Sequence, residues 1–71
     1  MDRVAVKSSE IRSIGYDESV KILEIEFHHG GVYQYSGVSK KIYDNLMKSV
    51  ISHGEYFDRY IKNRYRRNKV L

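Results

Sequence analysis

Hydrolytic or metal chemistry in this chain would have to be assembled from three histidines (His28, His29, His53), the carboxylates Glu24 and Glu26, and the serines Ser8 and Ser9. None of these sets has the spacing that such chemistry needs. His28 and His29 are adjacent, so on an extended strand they point to opposite faces, and His53 would have to fold back to the same place to complete a site. The chain has no cysteine, no paired thiolates and no HExxH segment. Glu24 and Glu26 are two apart, as acid–base partners could be, but their alternation with apolar neighbours reads as the solvated side of a strand. Neither serine sits in a nucleophile elbow, and His29-Gly30-Gly31 lacks the lysine-bearing pattern of a phosphate cradle. The expectation is a non-enzyme with no metal and no cofactor.

The cationic residues form a more coherent group. Residues 1 to 38 carry four Lys/Arg against six Asp/Glu, whereas residues 39 to 71 carry nine against three. The positive charge is Lys40, Lys41 and Lys48, followed by Arg59, Lys62, Arg64, Arg66, Arg67 and Lys69. On a continuous helix Arg59, Lys62 and Arg66 would form one stripe, since residues three and four apart are neighbours. Such a stripe binds phosphates without reading sequence. Of the seven tyrosines, Tyr65 or Tyr60 beside the arginines is best placed to stack on an unpaired base. The competing reading is favourable charge at a helix C-terminus together with solubility.

The elements that position these residues follow from periodicity. In Lys21 to Phe27 the apolar Leu23, Ile25 and Phe27 share one face, and Val32 to Tyr35 places Tyr33 and Tyr35 together. His29-Gly30-Gly31 supplies the turn, giving an antiparallel hairpin of about 21–28 with 31–36. Ser9 to Tyr16 reads as a further strand, with Ile11 departing from strict alternation. Val4 and Val6 begin an edge strand or simply cover the core. From Ser39 the period becomes helical. Ile42, Tyr43, Leu46, Met47 and Val50 line one stripe of a helix over about 40–50, capped by Ser39 and stapled by Val38 and Tyr43. Ser52-His53-Gly54-Glu55 is a capping box, stapled by Ile51 and Tyr56, and opens a second helix whose Phe57, Ile61 and Tyr65 repeat every four residues. Gly54, inside the first turn, suggests a close backbone approach. The predicted fold is α+β: a three-stranded antiparallel meander followed by two helices packed on one sheet face.

At 71 residues the chain holds one core, so 1–71 reads as a single domain, with 66–71 either continuing the helix or fraying into a basic tail. The opening Met1-Asp2-Arg3-Val4 lacks the apolar stretch of a secretory signal, and no run approaches the roughly 20 apolar residues of a membrane span. A cytoplasmic location and no membrane partner are expected. Apolar residues at 41% and charged residues at 31% give a foldable balance.

Read in order, the segments Ser8-Ser9-Glu10-Ile11, Gly15-Tyr16-Asp17, Leu23-Glu24-Ile25-Glu26-Phe27, Gly31-Val32-Tyr33-Gln34-Tyr35, Val38, Tyr43, Leu46, Ser52-His53-Gly54-Glu55-Tyr56-Phe57 and Ile61 to Tyr65 resemble the KTSC domain. That family occurs at the C-terminus of some lysyl-tRNA synthetases and as short stand-alone proteins. This chain departs from its usual look at Ser39, where proline commonly follows the valine, and at Asp58, where asparagine commonly follows Tyr-Phe. Serine as a cap and proline at an early helical position both suit a helix start. The resemblance implies a domain of unsettled biochemical role without synthetase machinery. It makes RNA or another nucleic acid one plausible partner and a protein the other.

Overall fold

The structure, a computed structural model, describes residues 1–48 and 52–71. Its elements run β1 (Arg3–Ala5), β2 (Ile11–Asp17), β3 (Ile22–Phe27), β4 (Val32–Ser36), α1 (Lys40–Lys48), α2 (His53–Tyr60) and β5 (Arg67–Lys69). The five strands form one antiparallel sheet in the order β1-β2-β3-β4-β5. This corrects the expected three-stranded meander. The central three strands form as read, and a short strand is added at each edge. Every side chain of β5 is exposed, so no apolar alternation marks it. What holds it is backbone pairing to β4, with Ser36 donating to the Arg66 carbonyl at 3.0 Å and Val32 to that of Leu71 at 3.0 Å. The segment neither continues the helix nor hangs as a tail.

Local chemistry explains the remaining boundaries. At the β3–β4 turn, Gly30 and Gly31 take φ values of 111° and 90°, which side-chain-bearing residues rarely adopt. The pairing of β2 with β3 slips between Ile11 and Ser13. This bulge at Arg12 turns both Ile11 and Ile14 inward, three positions apart, and accounts for the broken alternation. Ser39 Oγ accepts from the Ile42 amide at 3.3 Å to cap α1. Ser52 Oγ accepts from the Glu55 amide at 3.0 Å to cap α2. The Glu55 carboxylate pairs forward with Arg59 instead of back to the cap. Val50 and Ile51, assigned to the first helical stripe and the second staple, lie outside the described residues.

Both helices contribute to one core on one face of the sheet. Leu46 of α1 and Phe57 of α2 join Ile11, Ile14, Leu23, Ile25, Phe27 and Tyr35 in a single cluster with Val38 and Ile61. Phe57 meets Phe27 and Tyr35 edge-on at 5.5 and 5.3 Å. α2 comes so close to the chain before β2 that a Cβ on Gly54 would lie 2.8 Å from Glu10 Oε1 and 3.4 Å from Ser8 Oγ. The glycine is therefore placed by a close approach. Among the described residues, no helix is long and apolar enough to cross a membrane.

Candidate functional site

α2 ends at Tyr60, and this breaks the expected helical stripe of Arg59, Lys62 and Arg66. Arg59 closes the helix and pairs with Glu55 at 2.7 Å. Lys62 and Arg64 follow in the turn, and Arg66, Arg67 and Lys69 travel along or beside β5. All six cations are exposed, and residues 59–71 contain no Asp or Glu. Arg64 Nε donates to the Arg59 carbonyl at 3.2 Å, which ties the turn to the end of the helix. Lys40, Lys41 and Lys48 sit apart from this segment on α1. Lys40 is paired with Asp44 at 2.9 Å, and the hydrogen bond and charge of that carboxylate raise its pKa. Tyr65 is partly buried against the core, so its ring is committed to packing. Tyr60 is the more exposed tyrosine, lying 4.6 Å from the Tyr56 ring.

Two of the predicted cations are drawn together at a feature that periodicity does not reveal. A cavity of about 210 Å³ is lined by Glu10, Phe27, His29, Tyr33, Tyr35, Phe57, Lys62 and Arg67. Its aromatic walls come from β3, β4 and α2. The cations come from the turn after α2 and from β5, and Glu10 comes from the segment before β2. Arg67 lies over the Tyr33 ring at 5.0 Å from the centroid, and His29 stacks on Phe27 at 5.3 Å. Tyr35 is wholly buried, and its hydroxyl has no hydrogen-bond partner. Burial pushes the pKa of that hydroxyl up, and the nearby Arg67 opposes the shift without forming a hydrogen bond of proper geometry. The Glu10 carboxyl is also raised, first by burial and then by the charge of Asp58, with Lys62 and His29 pulling the other way. Strand periodicity places Tyr33 and Tyr35 on one face and does not reveal this cluster. The available signal was chemical, because a buried tyrosine hydroxyl requires a partner.

The opposite sheet face is polar and closed upon itself. Arg3 Nε donates to Ser13 Oγ at 3.0 Å, Ser13 Oγ donates to Glu26 at 2.8 Å, and Gln34 Nε2 donates to Glu24 at 2.8 Å. Arg3 also pairs directly with Glu24. The face read as solvated thus buries Glu24 to 6% exposure. Burial by itself raises the Glu24 pKa, but the hydrogen bonds from Gln34 and Arg3 and the charge of Arg3 outweigh it and leave the carboxyl below its ordinary value. A larger, more open depression borders Arg3, Ser13 and Glu26, whose polar groups already satisfy one another. The histidines do not converge. His28 Nε2 donates to the Ser8 carbonyl and His53 Nδ1 to that of Leu46, each at 2.9 Å, while His29 lines the cavity. Among the described residues, no group of three or more His, Asp or Glu is arranged to hold a metal.

A five-stranded antiparallel sheet covered on one face by two helices, with no group arranged to hold a metal among the described residues, defines a small α+β module. The sequence profile of the KTSC domain matches residues 7–65, and the chain belongs to that family. A crystal structure of a KTSC domain protein from Yersinia pestis superposes with a TM-score of 0.95 at 43% identity, covering 99% of this chain and 97% of that one. An uncharacterized protein of Stutzerimonas stutzeri is 39% identical over 67 residues, covering 94% of this chain and 93% of the relative. A lysine–tRNA ligase of Nostoc punctiforme is 30% identical over 60 residues, which span 84% of this chain and 10% of that enzyme.

Proposed function

We propose that this KTSC domain is a non-catalytic cytoplasmic module that binds RNA or another nucleic acid through the cations that follow α2. The observation that carries this reading is the acid-free segment 59–71, whose six exposed cations are displayed by the helix end, the turn and the β5 edge. A run of cations without carboxylates among them attracts polyanions and supplies affinity through phosphates, independent of base sequence. Arg66 and Lys69 make no side-chain hydrogen bond or ion pair among the described residues, and Arg64 makes only the one to the Arg59 carbonyl, all three lying outside the core. The family's presence within a lysine–tRNA ligase adds support from context. A protein partner is the second reading, favoured by exposed Val70 and Leu71 beside the outer strand. Each edge strand is only three residues long, and β5 carries Arg67 and Lys69, features that discourage strand addition.

The test titrates the protein with tRNA, single-stranded RNA and duplex DNA at low and near-physiological salt. The parent should bind all three with affinity falling steeply as salt rises. Replacing Arg64, Arg66 and Lys69 together by glutamine should weaken binding to all sequences alike and reduce the logarithmic salt slope on single strands by about 2. No association by the parent at either salt concentration sinks the proposal, and so does affinity that the triple variant leaves unchanged.

A further inference from the structure

The cavity between β4, α2 and β5 has a composition that the nucleic-acid reading does not use. Its floor is aromatic, with Phe27 and Phe57 exposed by only 6% and 1%. Within that floor sits the unpartnered hydroxyl of Tyr35. Arg67 approaches this hydroxyl closely enough to act on it by hydrogen bonding as well as by charge, though not in proper hydrogen-bond geometry, and Tyr33 and Glu10 act on it by charge; all three are cavity residues. A buried donor left unpaired is disfavoured in folding, since its water contacts are lost and nothing replaces them. A ligand in the cavity would supply the missing partner.

The rim defines what that partner is. Lys62 and Arg67 bring two positive charges and Glu10 one negative, a balance that suits a monoanion better than a dianion. Arg67 carries the planar fork that matches a carboxylate, and the Tyr35 hydroxyl adds a third donor. The aromatic floor would take an apolar body. At about 210 Å³ the space admits a fragment-sized molecule, below the range of drug-sized sites. We infer that this cavity is a binding site for a small monoanionic carboxylate with an apolar body, its carboxylate held by Tyr35, Arg67 and Lys62 and its body resting against Phe27 and Phe57. The inference does not rest on nucleic-acid binding, because Arg64, Arg66 and Lys69 lie outside the cavity.

Nuclear magnetic resonance titration of the full-length, isotope-labelled chain tests it, with benzoate, inorganic phosphate and benzylamine as probes at matched ionic strength. Benzoate should produce saturable shifts centred on Tyr35, Lys62 and Arg67, phosphate weaker ones and benzylamine none. Tyr35→Phe keeps the ring in place and should weaken benzoate about tenfold, as expected for losing a hydrogen bond to a charged group. Glu10→Gln should strengthen it, because a repulsive carboxylate is gone. Both variants are compared with the parent by their spectra and melting temperatures, so that altered binding is read only from a folded protein. Absence of saturable benzoate shifts, unchanged affinity in Tyr35→Phe, or preference for benzylamine overturns the site. A response to phosphate alone overturns the carboxylate class. Failure of the RNA titration while benzoate binds leaves this site standing.

Discussion

The two faces of the same sheet carry polar clusters of opposite character. Behind the sheet, Arg3, Ser13, Glu24, Glu26 and Gln34 satisfy one another through a connected set of hydrogen bonds and ion pairs. Beside the helices, Tyr35 keeps a buried hydroxyl without a partner, while Lys62 and Arg67 take part in none of the ion pairs among the described residues. The first cluster spends its polar groups on holding strands together, and the second leaves them available. Position in the register explains the difference. Arg3, Gly15, Glu24 and Gln34 stand in one cross-strand row, and Gly15, lacking a side chain, lets the Arg3 guanidinium pass over β2 to reach Glu24. The row that holds Tyr35 runs Tyr16, Leu23, Tyr35 and Arg67, so its inner neighbour is apolar and its only charged one lies on an edge strand.

If the rear cluster is structural, removing its centre should be the most damaging change. Glu24→Ala leaves Arg3 and Gln34 without their acceptor and should cost about 2–3 kcal/mol, as read from denaturant unfolding. The same pair predicts a pH dependence. The folded pKa of Glu24 lies below the ordinary 4.5, so its contribution is whole above that value and drains away as pH falls through the lowered one. The stability gap between parent and Glu24→Ala should therefore narrow as pH falls below the ordinary 4.5. A gap that widens toward acid would contradict the assignment.

Gly15→Ala attacks the same cluster more gently. The added Cβ would stand 2.8 Å from the Asp2 carbonyl oxygen and 3.0 Å from Arg3 Cγ, displacing β1 at a cost of about 1–3 kcal/mol. Cross-strand signals between Arg3 and residue 15 should weaken while those linking β2, β3 and β4 remain. Uniform loss throughout the sheet would mean that β1 is integral to the core and not an added edge.

The smallest expected effect lies on the other face and has the opposite sign. Tyr35→Phe deletes a buried hydroxyl that has no partner in proper hydrogen-bond geometry, so stability should be unchanged or raised by about 1 kcal/mol without ligand. A clear loss of stability would show that the hydroxyl has a structural partner after all. The contrast between the faces would then disappear.

Much of this arrangement was legible from residue order. The alternation in Leu23, Ile25 and Phe27, the two glycines of the hairpin turn, and the serines that cap both helices each act within a few residues, so local rules recover them. Ile11 could be recognised as an exception but not explained, because the bulge at Arg12 is a property of pairing with β3. Glu24 was misread for a similar reason: alternation tells which face a side chain takes, but not what crosses that face. The basic residues do not form the expected helical stripe, since Lys62 and Arg66 continue a helical spacing in sequence while the helix stops at Tyr60.

Residue order alone determined the central strands, the two amphipathic helices and the concentration of positive charge near the C-terminus, because each depends on periodicity or composition over a short span. Tertiary structure decided the two outer strands, the burial of Glu24 and the isolation of the Tyr35 hydroxyl. These depend on which distant backbone and side-chain groups arrive alongside, and backbone pairing at a sheet edge imposes no apolar pattern on the residues that make it.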